Sequence, residues 1–191
     1  METKLILASN SPRRREILES AGYVFSVISP RTDEVESGLA PKDLAVENSK
    51  RKALAVLKEE KGVVISADTV VALGDTVLGK PRDTEDAKRM LHSLSKKSHC
   101  VITGYTVSDG ETQVSGYVET KVTMRELFDD EIDAYVKTGS PLDKAGAYGI
   151  QEAAGMFVSK LEGDYYNVVG LPISKISEIL RRDFGLRAFM K

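Results

Sequence analysis

Residues 5–18, LILASNSPRRREIL, run a short apolar strand through three small polar residues straight into a helix start. Such an opening constrains the fold: an apolar strand this close to a helix must be buried against it, which points to alternating α/β structure. KLILA reads as a buried strand, Ser11 as an N-cap, and Pro12 as the first residue of a helix to about Ser20. The helix then begins with Arg13, Arg14 and Arg15, cations where the backbone dipole favours anions. A strand, a tight turn and a helix N-terminus form an anion site from unpaired backbone N–H groups, and forked arginines beside it suit phosphate oxygens. At about 100° per residue the three side chains cannot share one direction, so Arg15 is expected to face solvent or Glu19 one turn on.

The rest of the chain extends the pattern. YVFSVI alternates as a second strand and leads into an acidic loop, PRTDEVESG; Pro41 opens a long helix to about Glu60. VVISADTVVAL is strand-like, and Gly74-Asp75 is a two-residue hairpin turn into TVLGK. TEDAKRMLHSL is an amphipathic helix with Thr84 as its expected cap. Two long β-rich stretches, Cys100–Ser108 and Glu111–Met124, are joined by Asp109-Gly110, a hairpin signal. A short helix over Asp129–Lys137, a glycine-rich segment from Gly139 to Gly155, a strand in MFVSKLEG and a closing helix ended by Gly185 complete it. The expectation is an α/β fold with a mixed sheet, the whole chain 1–191 forming one domain of two lobes with a ligand cleft between them.

Composition narrows the function. With 27 basic and 29 acidic residues, a net charge of -2, the chain lacks the global footprint of a nucleic-acid binder. Cys100 is the single cysteine and His92 and His99 the only histidines, so neither a disulfide framework nor a Cys- or His-based metal site is expected. Leu5–Ala8 is too short for a signal h-region and no run approaches a membrane span, so a cytoplasmic protein with no membrane partner is expected.

Asp68 interrupts the apolar run VVISADTVVAL, where an unpaired carboxylate is costly to bury. If Gly74 and Asp75 are the turn, Leu73 pairs with Thr76, and continuing outward sets Thr69 opposite Lys80 and Asp68 beside Pro81. Lys80 is therefore the expected neighbour of Asp68, either in a structural ion pair or beside an acid that binds a divalent cation or activates water. SPLDKAGAYGIQ carries Gly146 and Gly149, which allow close backbone approach to a ligand or a tight turn. LGKPRD is not a Walker A loop, since Pro81 follows Lys80, and GxGxxG is absent. Glu34 is one of several acids in its loop and Lys52 one of several polar residues in its helix; by sequence alone both read as solvated surface.

In order, LASNSPRRREIL, SADTVV, LGKPRD, DKAGAYGIQ and GDYYNVVGLP resemble the Maf family of nucleotide pyrophosphatases, from residue 5 to about 172. The resemblance implies an ITPase-like fold, an elongated bent mixed sheet with flanking helices and two lobes. It also implies hydrolysis of a nucleoside triphosphate to the monophosphate and pyrophosphate with Mg²⁺ or Mn²⁺, and a homodimer. By position, Ser9, Arg13 and Arg14 match the family's phosphate-binding motif, Lys52 and Lys80 its conserved-pattern lysines, Asp68 its proton acceptor and Glu34 an assisting acid. Asp68 and Glu34 are the candidate metal ligands, and Arg13, Thr69 and Gln151 match positions tied to base selectivity. DKAGAYGIQ resembles the branch acting on dTTP and UTP, whereas QEAAG after it departs from the family's frequent Gln-Gly. The implied role is nucleotide-pool sanitation. A nucleotide-binding regulator of septum formation without turnover is the alternative, and a nucleic-acid binder using SPRRR is disfavoured by the acidic balance.

Overall fold

Strand β3 (Val63–Leu73) organises the molecule. The computed structural model describes residues 3–35 and 37–189, so Glu36 of the acidic loop lies outside the described residues. Along one edge β3 pairs antiparallel with β5 (Ser98–Ser108), from Val64 opposite Ser108 to Ala72 opposite Cys100. Its other edge is shared. β1 (Leu5–Ala8) runs parallel to Val63–Ser66, and β4 (Thr76–Leu78) runs antiparallel to Val71–Leu73. Between these two neighbours, among the described residues, Ala67, Asp68, Thr69 and Val70 have no strand beside them on that edge. β2 (Ser26–Ile28) flanks β1, and β6 (Gln113–Met124) and β7 (Val158–Glu162) extend the sheet beyond β5. The result is a seven-stranded mixed sheet of order β2-β1-β3-β5-β6-β7, with β4 on β3.

The core divides along β3. Leu7, Leu18, Ile65, Ile176 and Leu180 pack α1 (Pro12–Ser20) and α6 (Ile173–Asp183) against its first half. Val71, Leu91, Leu94, Val122 and Ile132 pack α3 (Thr84–Leu94) and α4 (Asp129–Lys137) around its last turn of residues. On the opposite face α2 (Pro41–Leu57) lies over the sheet through Leu44, Ala45, Ala53 and Val56. Alternation along β3 puts Val64, Ser66, Asp68, Val70 and Ala72 under α2 and Ile65, Ala67 and Thr69 on the side of α1.

Several local expectations are corrected. YVFSVI contributes only Ser26–Ile28 as strand, and α2 ends at Leu57. Asp83, not Thr84, caps α3: its Oδ1 accepts from the Asp86 N–H at 2.7 Å, and a carboxylate serves the helix dipole better than a hydroxyl. The long hairpin turns through Asp109–Thr112 rather than through Asp109-Gly110 alone, because Asp109 Oδ1 accepts from both the Glu111 and Thr112 N–H groups. Asp164 caps a short helix that the sequence reading omits, α5 (Tyr165–Val169). Gly185 ends α6 as expected, at φ +67°.

Candidate active site

The unpaired edge of β3 opens into a cleft of about 1050 Å³ lined by every sequence-nominated residue: Ser9, Arg13, Arg14, Glu34, Lys52, Asp68, Thr69, Lys80 and Gln151. The opening arginines separate as helical geometry requires. Arg15 points outward and its Nε donates to Glu19 at 2.7 Å. Arg14 turns inward: Nε donates to the Gly170 carbonyl at 2.8 Å, Nη1 to the Ala67 carbonyl at 2.8 Å and to Ser9 Oγ at 3.4 Å, and Nη2 to Thr69 Oγ1 at 3.1 Å. One Nη2 N–H is left over. Arg13 reaches across the cleft, its Nη1 3.6 Å from Glu152 and 4.0 Å from Asp143.

The carboxylate end is built by α2. Gly104 stands directly opposite Asp68 on β5, and a Cβ there would collide with the Ala45 carbonyl. The missing side chain lets the α2 backbone settle on the sheet. Ala45, Asn48, Ser49 and Lys52 then form its buried stripe. Lys52, expected at the surface, is 8% exposed, and its Nζ lies 2.6 Å from both Asp68 Oδ1 and Glu34 Oε1. Asn48 is the residue the sequence reading missed here. Its Oδ1 accepts from the Val35 N–H at 2.8 Å, and its Nδ2 donates to the Val35 carbonyl at 3.0 Å and to Asp68 Oδ2 at 3.2 Å. It thereby ties the acidic loop to α2 and delivers Glu34 to Lys52. A polar residue one turn before Lys52 on the same helix face was the available signal.

Burial by itself would raise the Glu34 carboxyl. The Lys52 ammonium, with Lys80 and Arg14 farther off, outweighs burial and holds it below the ordinary glutamate value. Burial lowers the Arg14 guanidinium despite Asp68 and Glu34 nearby.

The expected Asp68–Lys80 pair is corrected. The β4 register is as read, Leu73 opposite Thr76, but the ladder stops at Val71–Leu78. Beyond it the Gly79 carbonyl accepts from the Gly146 N–H at 3.0 Å, which draws the chain toward the glycine-rich loop. Lys80 lines the cleft without an ion pair among the described residues, and Lys52 takes the place beside Asp68. The far wall comes from residues 139–155, folded into tight 3-10 turns with Gly146 at φ +70° against Val71. Gln151 is exposed on this wall. Lys144, unremarked in the sequence, is buried there and bridges Asp143 at 2.6 Å and Glu152 at 3.1 Å.

Among the described residues no group of three or more His, Cys, Asp or Glu side chains could hold a metal by itself. Asp68 Oδ1 and Glu34 Oε1 converge on the Lys52 ammonium, so the hard oxygens a cation would use are their remaining ones, Oδ2 and Oε2. Such oxygens plus substrate phosphates are what Mg²⁺ accepts, so the donor set fits a cation that arrives with a polyphosphate.

Fold and cleft together define an α/β protein whose cleft pairs a cationic helix start with a carboxylate–lysine cluster. The chain belongs to the Maf family: the model of the Maf-like protein matches residues 4–183. It is 49% identical over 177 residues to a dTTP/UTP pyrophosphatase of Thermosipho africanus, covering 93% of this chain and 92% of that protein. It is 46% identical over 188 residues to a dTTP/UTP pyrophosphatase of Thermoanaerobacter sp. (strain X514), covering 96% of this chain and 98% of that one. Among solved structures, the Staphylococcus aureus Ham1 protein aligns with a TM-score of 0.47 at 16% identity, covering 63% of this chain and 71% of that one.

Proposed function

We propose that this protein hydrolyses dTTP and UTP to the monophosphate and pyrophosphate, removing excess or non-standard pyrimidine nucleotides from the pool. The observation that carries the reading is Asp68: a buried carboxylate held between Lys52 and Asn48, on the unpaired strand edge facing the cleft. Relatives named dTTP/UTP pyrophosphatase at 46–49% identity supply the substrate class.

In the proposed reaction the triphosphate lies against the start of α1, where Arg13, Ser9, the free Nη2 N–H of Arg14 and the first backbone N–H groups meet its charge. Water attacks the α-phosphorus in line; the new P–O bond forms as the bond to the bridging oxygen breaks, and pyrophosphate leaves. Asp68 takes the proton of the attacking water. Lys52 and Lys80 meet charge developing on the phosphates. Asp68 and Glu34 would hold a divalent cation, Mg²⁺ or Mn²⁺, which when bound neutralises phosphate charge and acidifies water. Gln151 and Thr69 face the base. By the same family resemblance the protein is a cytoplasmic homodimer.

The test is pyrophosphate release from a panel of canonical and modified nucleoside triphosphates with Mg²⁺, Mn²⁺ or chelator. Metal-dependent turnover concentrated on dTTP and UTP is expected. Turnover concentrated on another base would overturn the substrate assignment, and nucleotide binding with no turnover would favour a regulator.

A further inference from the structure

Three hydroxyl and amide groups beside the cleft form a chain whose hydrogen-bond direction is forced. Thr69 and Thr103 stand directly opposite each other on β3 and β5, their Oγ1 atoms 2.9 Å apart. Distance alone leaves open which of them donates; the surrounding partners decide. Thr103 Oγ1 lies 2.9 Å from the backbone carbonyl of Asn167, which can only accept, so the single Thr103 hydroxyl hydrogen goes there. Thr103 can therefore only accept from Thr69, and the Thr69 hydrogen points away from the cleft into the sheet. On its other side Thr69 Oγ1 accepts from Arg14 Nη2 at 3.1 Å, and a guanidinium can only donate. What remains on Thr69 is one oxygen lone pair.

The far end of the chain is fixed as firmly. Asn167 is fully buried: its Oδ1 accepts from the Thr103 N–H at 3.1 Å, and its Nδ2 donates to the Val101 carbonyl and to Thr120 Oγ1, both at 2.9 Å. Thr120 Oγ1 accepts in addition from the Asp164 N–H and donates to the Asp164 carbonyl, both at 3.0 Å. No member can reverse without leaving a buried N–H or carbonyl unpaired.

We infer that Arg14, Thr103 and Asn167 are positioning residues that lock Thr69 as an acceptor-only group facing the base, and that this polarity selects uracil and thymine over cytosine. The inference rests on the pyrimidine nucleotide reading of the cleft and deepens it. Uracil and thymine carry N–H at ring position 3, which the free Thr69 lone pair accepts; cytosine presents a bare nitrogen there, lone pair against lone pair. Gln151 cannot make this distinction by itself, because its amide can turn to offer either oxygen or nitrogen. A hydroxyl held at both ends cannot turn.

The test compares UTP with CTP, which share ring size, ribose and triphosphate and differ only at ring positions 3 and 4. Both kcat/KM and equilibrium dissociation constants are measured, so that the base preference is read even if turnover is not as proposed. Thr103→Val deprives the Thr69 hydrogen of its acceptor and frees it to donate into the cleft. The UTP:CTP preference then falls ~10- to 100-fold, mainly because CTP improves. Thr69→Val removes the acceptor itself; the preference falls by a similar factor, this time because UTP worsens. Thr103→Ser retains the hydroxyl and the wild-type preference. A general loss of packing would depress both nucleotides together and could not produce these opposite routes. An unchanged UTP:CTP ratio in both valine variants, or a Thr103→Val loss shared equally by the two nucleotides, overturns the proposal. Should Thr103→Val fail to fold, the half-buried Thr69→Val decides: an unchanged ratio overturns the proposal, and a ratio that falls through UTP alone supports it.

Discussion

Buried polar side chains are accommodated here in two different ways. Lys52 and Asp68 are buried and paired at 2.6 Å. His99 is buried and neutral: it is 2% exposed, its Nε2 shares a 2.7 Å hydrogen bond with the Tyr148 hydroxyl, and its Nδ1 has no partner among the described residues. Burial pushes its pKa down from 6.5 to about 4. Between those values the unfolded chain binds a proton that the folded chain refuses, so stability rises with pH through this window and is lost as pH falls. The difference amounts to about 3 kcal/mol over the whole interval. Melting temperatures taken from pH 7 to pH 4 should therefore fall for the wild type, and His99→Gln, which has nothing to titrate, should show a flatter profile over that range. Identical profiles would show that His99 takes up its proton in the fold as readily as in the unfolded chain, and would contradict the burial argument. Of these residue-scale features the sequence revealed the Arg15–Glu19 pair through its spacing, and Asp68 through its cost in an apolar run. It concealed the partners of Asp68, because Lys52 and Asn48 reach it only through tertiary packing.

At the scale of elements, that packing depends on how closely α2 approaches β5. Gly104 has no side chain where the Ala45 carbonyl sits, so Gly104→Ala must either push α2 off the sheet or distort the strand. A loss of ~1–3 kcal/mol in denaturant unfolding is expected. Because the displaced helix carries Lys52 and Asn48, nucleotide turnover should drop more than tenfold even where the variant stays folded. Wild-type activity in a folded Gly104→Ala protein would separate the helix contact from the site. Most strands and helices were legible from periodicity and caps, and β3 and α4 fall on the residues expected. The Asp68–Lys80 pairing failed because register was extended past Leu78, where a hydrogen bond from Gly146 to the Gly79 carbonyl replaces the ladder. α5 was missed because five residues are too few to show a helical period; its reason for existing is the buried amide of Asn167, a long-range fact.

Across the whole molecule, the cleft exists because β1 and β4 share one edge of β3 without meeting, leaving the backbone edge at Asp68 and Thr69 unpaired between two hydrophobic clusters. The sequence indicated a cleft but not this cause, since strand order cannot be read from local pattern. Arg13 closes the space from one side onto Glu152 and Asp143 on the other; in the proposed reaction these carboxylates would compete with phosphate for it. Glu152→Gln should lower KM for nucleotide by about two- to fivefold at low ionic strength, the scale of a partly exposed ion pair, and the gain should fade with added salt. A KM unchanged at low salt would show that Arg13 does not engage the phosphates. In the proposed reaction Asp68, held by Lys52, drives release of pyrophosphate from a nucleotide bound along this cleft. Its most direct test is pyrophosphate release from UTP by the wild type and Asp68→Asn, each paired with a binding isotherm for the same nucleotide. Asp68→Asn should bind UTP and release pyrophosphate at least ~100-fold more slowly. Full turnover by that variant would contradict this role for Asp68.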